Sequence, residues 1–145
     1  MSPWIVLLLL AFVLSPLSWL IPSRRQRVQM DVRQQARRMG LGMQLARQQW
    51  PHWLEQAPSG TCAEYHRARR RDQRDTWCYW QSAPGLWVNQ WREPCDDAVL
   101  SEQLAHLPLD VYKVEATAQM VALYWGERAA EDAVQRIADF LLARA

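Results

Sequence analysis

Residues 76–92 read TWCYWQSAPGLWVNQWR. Bulky aromatic and β-branched residues flank the tetrad Ser82-Ala83-Pro84-Gly85, whose proline and glycine carry turn chemistry. This stretch predicts two strands, Thr76–Gln81 and Leu86–Arg92, joined by a tight turn. Working outward toward the N-terminus, Thr61–Arg67 has the same β-rich character and leads into Thr76–Gln81 through the polar run RRRDQRD. The three strands together read as an antiparallel meander. Farther out, Leu41, Met43 and Leu45 alternate as in a short strand, and Trp50–Leu54 and Ala57–Gly60 are loop material. Toward the C-terminus, Asp96 or Asp97 is placed to cap a helix to about Leu107, with Val99, Leu100, Leu104 and Leu107 on one face and Pro108 as its stop. Val111–Thr117 and Met120–Trp125 read as strands, the second equally able to start a helix. Ala130, Val134, Ile137, Ala138 and Leu141 mark a final amphipathic helix. Strands and helices without βαβ alternation, and without an internal repeat, define an α+β class with an antiparallel sheet and two to three helices.

The N-terminus is different in kind. Trp4–Ile21 reads WIVLLLLAFVLSPLSWLI, eighteen residues without a charge. At 1.5 Å per residue it spans roughly 27 Å, close to the ~30 Å thickness of a bilayer's hydrocarbon. Trp4 and Trp19 lie near its ends, where indole rings favour the membrane interface. A cleaved signal peptide wants a basic start and a small-x-small exit. Here Met1-Ser2-Pro3 carries no basic side chain, and Ser18–Ser23 has no such pattern. The expected organisation is therefore a transmembrane anchor over 1–23, a basic juxtamembrane helix over 24–40 and an α+β domain over 41–145.

Charge supplies an orientation. Arg24, Arg25, Arg27, Arg33, Arg37 and Arg38 follow the apolar run against Asp31 alone, which predicts an outside N-terminus and a cytoplasmic domain at the inner membrane. The same collar, Arg24–Arg38, attracts anionic lipid. Val28, Val32, Ala36 and Met39 form a helical stripe, and the segment reads as a helix continuing from the membrane and ended by Gly40. Residues 24–74 carry twelve arginines against four acids, and residues 75–145 carry five basic residues against eleven acids. That division suits an anionic surface on one side, and equally suits internal charge pairing.

No motif identifies a reaction. The chain has no G-x-S-x-G, no H-E-x-x-H and no glycine loop to cradle phosphate. Cys62, Cys78 and Cys95 are odd in number and read as reduced thiols in a cytoplasmic domain. With His66 they number four potential zinc ligands, but without the close pairs that structural zinc sites use. Were the domain periplasmic, a Cys62–Cys78 disulfide across adjacent predicted strands would be attractive. No metal, cofactor or catalytic residue is expected. Arg69, Arg70 and Arg71, near Trp77 and Trp80, have the basic-aromatic mixture of a nucleic-acid platform, but Asp72 and Asp75 dilute it, and a solvated loop explains it better. Trp87 and Trp91 share one face of a predicted strand, which leaves aromatic area for a protein partner.

A short outside N-terminus, one anchor and the Arg/Gln-rich exit Ile21-Pro22-Ser23-Arg24-Arg25-Gln26-Arg27 resemble the YajC-type accessory subunit of the bacterial preprotein translocase. The likeness covers residues 4–39; the family's Gly-Asp and Gly-Gly β segment is missing beyond them. The resemblance implies an accessory role in a membrane complex. The expected function is thus a non-enzymatic interaction module, with Trp77, Trp80, Trp87, Trp91 and Arg69–Arg71 as its surface. The alternative is a tethered binder of RNA or anionic lipid through the arginine-rich segments.

Overall fold

The computed structural model describes residues 2–21, 23–128 and 132–145. Four helices, α1 (Pro3–Leu20), α2 (Arg24–Arg38), α3 (Ala98–Ala105) and α4 (Ala133–Arg144), accompany six strands. These are β1 (Gly42–Arg47), β2 (Thr61–Ala68), β3 (Trp77–Ala83), β4 (Leu86–Val88), β5 (Val111–Ala116) and β6 (Met120–Trp125). The class is α+β with one antiparallel sheet.

Helix α1 is long and apolar enough to cross a membrane, with a mean hydropathy of 2.1 and no buried residue. It does not run on into α2 as one helix. Ile21 is extended, as a residue before proline tends to be. Ser23 then opens α2 with a capping box: its Oγ accepts the Gln26 N–H at 3.3 Å, and the Gln26 side chain accepts the Ser23 N–H at 3.1 Å. The stripe on α2 turns inward at Val32 and Ala36. Gly40, with φ at +83°, ends it while the Leu41 N–H returns to the Ala36 carbonyl.

The strand order is β1-β2-β6-β5-β3-β4, which replaces the expected β2–β3–β4 meander. Only the β3–β4 hairpin of that meander forms; β2 pairs with β1 and β6, and β3 pairs with β5. The reason lies in which strands are apolar on both faces. In β6, Val121, Leu123 and Trp125 are buried on one face and Ala122 and Tyr124 on the other, so β6 belongs at the sheet's centre. The β5–β6 hairpin therefore inserts between β2 and β3, and residues 69–76 cross over it.

Helices α2, α3 and α4 cover one face, where Val32, Leu104, Ile137 and Leu141 meet Tyr65, Val114, Leu123 and Trp125. Asp97 caps α3 through the N–H groups of Val99 and Leu100. Val99, expected on the apolar face, points to solvent, because Leu100, Leu104 and Leu107 already hold that face at helical spacing. In α4 the expected Val134, Ile137, Ala138 and Leu141 are buried, and Ala130 lies outside the described residues. Strand β4 ends at Val88, short of the expected Arg92. Asn89 Oδ1 accepts the N–H groups of Trp91 and Glu93, and Arg92 adopts φ +62°, so the chain turns instead of extending.

The α2 helix is fixed to the sheet by a polar clamp. Arg33 Nε and its terminal amine donate to both carboxylate oxygens of Glu127 at 2.7 Å, and Tyr65 Oη donates to Glu127 Oε2 at 2.8 Å. Glu127 raises the Arg33 pKa, and burial followed by the carboxylate pushes the Tyr65 phenol well up. The clamp also sets a direction. Arg33 meets the sheet end formed by Arg47, Thr61, Trp125, Val111 and the Pro84-Gly85 turn, while the chain leaving α2 enters β1 at the opposite end, beside His66.

Two outcomes follow. A chain lacking residues 1–23 should be soluble and lose its circular dichroism in one cooperative transition, because α1 contributes nothing to the core. In that background Arg33→Ala should cost about 3 kcal/mol in urea unfolding, since it strands a Glu127 side chain that is only 4% exposed. Tyr65→Phe, which leaves the ion pair intact, should cost about 2 kcal/mol.

Candidate functional site

The far end of the sheet holds the cleft with the most aromatic surface. It lies beside the first half of β3, where β4 has already ended: the β3–β4 ladder begins at Trp80, so among the described residues no strand pairs with Trp77–Tyr79 on that side. The opening measures about 550 Å³ and is lined by Trp77, Tyr79, Trp80, Asn89, Trp91 and Thr117. Trp91, 70% exposed, stands at its rim because the Asn89 turn swings it out of the strand. Trp77 is half-buried, with its ring edge-on to Phe140 at 6.4 Å.

Of the sequence-predicted surface, the structure brings together Trp77, Trp80 and Trp91. Trp87 is not part of it; only 5% exposed, it packs in the core cluster with Leu100 and Leu104. Trp87 and Trp91 do not share a strand face. Arg69 also leaves the surface. Its side chain, 1% exposed, donates to the Thr117 carbonyl at 2.9 Å and to the backbone and carboxylate of Asp75. Arg69 thus staples the crossing segment to the β5–β6 turn, and it holds the Asp75 carboxyl below the usual range. Arg70 and Arg71 remain exposed. Trp4, Trp19, Arg24, Arg25 and Arg27 are exposed on α1 and α2.

The sheet face turned away from the helices carries a site that the sequence reading passed over. Lys113, the chain's one lysine, is buried there, donating to Gln48 Oε1 at 3.0 Å with Glu115 Oε2 at 3.6 Å. Its ammonium lies 5.4 Å from the Trp80 ring centroid and 5.2 Å from that of Tyr124. Glu64, also buried, accepts from Gln44 at 3.2 Å, and its other oxygen stands 3.7 Å from His66 Nδ1. That separation is too long for a hydrogen bond. The loop after β1 roofs this face, with Trp50 edge-on to Tyr112 and Tyr124 and Trp53 edge-on to Trp80. A lone lysine in an arginine-rich chain was the available signal: an ammonium suits a compact cage in which a planar guanidinium fork does not fit.

The thiols are dispersed. Cys62 and Cys78 sit on β2 and β3, three strand spacings apart, roughly 14 Å, so the adjacent-strand premise of a disulfide fails. All three cysteines are free, and no three His, Cys, Asp or Glu side chains among the described residues form a metal-holding group. Burial pushes the Cys62 thiol up to about 11 and the Cys78 thiol up to about 12.

No protein-family model, curated protein sequence or solved structure matches the chain.

Both raised thiols are about one part in a thousand or less thiolate at pH 8. Iodoacetamide should therefore label half-buried Cys78 only slowly at pH 8 and reach Cys62, which is buried, only in denaturant, as counted by intact-mass spectrometry. Prompt labelling of Cys62 in the folded protein at pH 8 would contradict its burial.

Proposed function

We propose that this chain is a single-pass inner-membrane protein whose cytoplasmic domain docks another protein, an accessory module and not an enzyme. The observation that carries the reading is the far-end cleft: an unpaired stretch of strand edge, Trp77–Tyr79, beside an exposed tryptophan. An unpaired edge offers backbone groups to an extended segment, and flanking aromatic pockets give such segments their specificity. The occupant is an extended, apolar-bearing peptide of a partner protein. The anchor is α1 and the collar Arg24, Arg25 and Arg27 sets its orientation. The likeness of residues 4–39 to the YajC-type translocase subunit agrees with an accessory place in a membrane complex.

The nucleic-acid alternative loses its central residue, since the Arg69 guanidinium is already occupied. Detergent extraction of the full chain with mass spectrometry of what co-purifies tests the docking reading. Trp91→Ala should weaken retention of the partner by about 2 kcal/mol, roughly thirtyfold in Kd, with little dependence on salt. Retention that falls steeply with ionic strength and with Arg70→Glu, but ignores Trp91→Ala, would replace docking by polyanion binding. A reporter fused after Ala145 that is active only in the cytoplasm should work, and its silence would overturn the orientation.

A further inference from the structure

A larger opening lies at the opposite end of the sheet, where α2 begins. It measures about 890 Å³, and its lining includes Pro84, Leu109, Asp110, Tyr112, Arg128 and Arg136. These residues come from the β3–β4 turn, the α3–β5 connection, the start of β5, the exit of β6 and the first turns of α4, and all of them belong to the sheet end that Arg33 meets through Glu127.

This end lies next to α1 along the chain. Ser23 caps α2 directly after α1, and from Arg24 to Arg33 the helix rises only roughly 14 Å before the clamp. If α1 spans the bilayer, the sheet end bearing this opening is therefore held beside the lipid headgroups, and the tryptophan cleft points away from them. The electrostatics agree. Burial pushes the Tyr112 phenol up, with Cys62 and Asp110 adding to the rise and the positive charges of Arg128 and Arg25 opposing it.

The lining combines what an anionic phospholipid requires. The Arg128 side chain has no hydrogen-bond or ion-pair partner among the described residues; only its backbone N–H is engaged, by Asp110 Oδ2 at 2.9 Å. Arg136 donates to the His106 carbonyl at 3.2 Å and lies 3.4 Å from Asp132, leaving its Nε without a partner among the described residues. The single carboxylate in the lining, Asp110, is thus partly committed to the chain's own backbone. Beside the cations, Leu109 is 65% exposed and stands with Pro84 and Pro108 as an apolar rim. Cations with an adjacent exposed apolar side chain match a phosphate with an acyl chain below it.

We propose that this opening receives the headgroup phosphate of an anionic phospholipid, with Arg128 and Arg136 on the phosphate and Leu109 at the acyl boundary. The inference rests on α1 being the membrane anchor. Bound this way, the domain is held at two points, by its chain and by its headgroup contact, and the docking cleft faces the cytoplasm.

The test places photoreactive benzoylphenylalanine at Leu109 in the full chain, reconstituted in nanodiscs of phosphatidylcholine with or without phosphatidylglycerol. Phosphatidylglycerol adducts, read by mass, should exceed phosphatidylcholine adducts by about tenfold. Arg128→Glu should remove that preference with the melting temperature unchanged, because among the described residues no hydrogen bond or ion pair uses its side chain. Arg136→Gln provides a second, independent loss. Adducts insensitive to lipid charge or to Arg128→Glu would overturn the headgroup site while leaving the anchor intact. Adducts abolished by inorganic phosphate would make it a free-anion site and overturn the lipid assignment. A chain that separates from the discs altogether would overturn the anchor and this inference together.

Discussion

The Arg33–Glu127–Tyr65 clamp is the constraint on which the arrangement of this molecule depends. Helix α2 is rich in arginine and glutamine and brings only Val32 and Ala36 fully into the core, too narrow a stripe to fix a fifteen-residue helix by apolar burial alone. A bidentate guanidinium–carboxylate pair supplies the missing register, because its two parallel hydrogen bonds tolerate neither a slide nor a rotation of the helix. Tyr65 satisfies a further lone pair of the same carboxylate in a site almost closed to water. The pair also joins the basic half of the chain to the acidic half, one instance of the internal pairing that the charge division permitted.

The sequence was informative where a pattern is local. The β3–β4 turn, the Asp97 cap, the apolar spacing of α4 and the glycine stop after α2 are each dictated by residues within one or two turns of each other, and the structure has them where the sequence put them. Strand order was not legible in the same way. Reading Thr61–Arg67 and Thr76–Gln81 as neighbours assumed that consecutive strands pair, the commoner case. The evidence against it was present in Val121–Trp125, a run apolar at every position, which only a central strand can bury on both faces. The same assumption of regular continuation placed Trp91 beside Trp87. Asn89 breaks that alternation by capping a turn, and this sends one tryptophan into the core and the other into solvent.

Arginine counting misled for a related reason. Arg69, Arg70 and Arg71 are chemically alike in sequence, yet the crossing segment that carries them needs an anchor after leaving β2, and the first of the three is used for it. Its carbonyl acceptor, Thr117, is forty-eight residues away, so no local signal separates it from its neighbours. Lys113 shows the converse. Its burial required Gln48, Glu115, Trp80 and Tyr124 to converge from three strands and a loop, and only the oddity of a single lysine pointed there.

These separate features place different chemistry at the two ends of the sheet. At the end beside α2, cations and exposed Leu109 surround an open site; at the other, an unpaired strand edge and Trp91 surround a second. The clamp determines which is which, because it fixes α2 antiparallel to β1 and so fixes which end lies near α1. With α1 in the membrane, as proposed, this polarity has a kinetic consequence. A weak peptide site of this size is of little use in free solution, but a tether confines it to a thin layer where a membrane-bound partner is already concentrated, and a second contact near the membrane narrows its orientations further. The affinity required of the tryptophan cleft then falls as the domain's freedom falls. A small aromatic cleft with only three residues of free edge is adequate under that condition, and it is the anchored clamp, acting through α2, that would supply it.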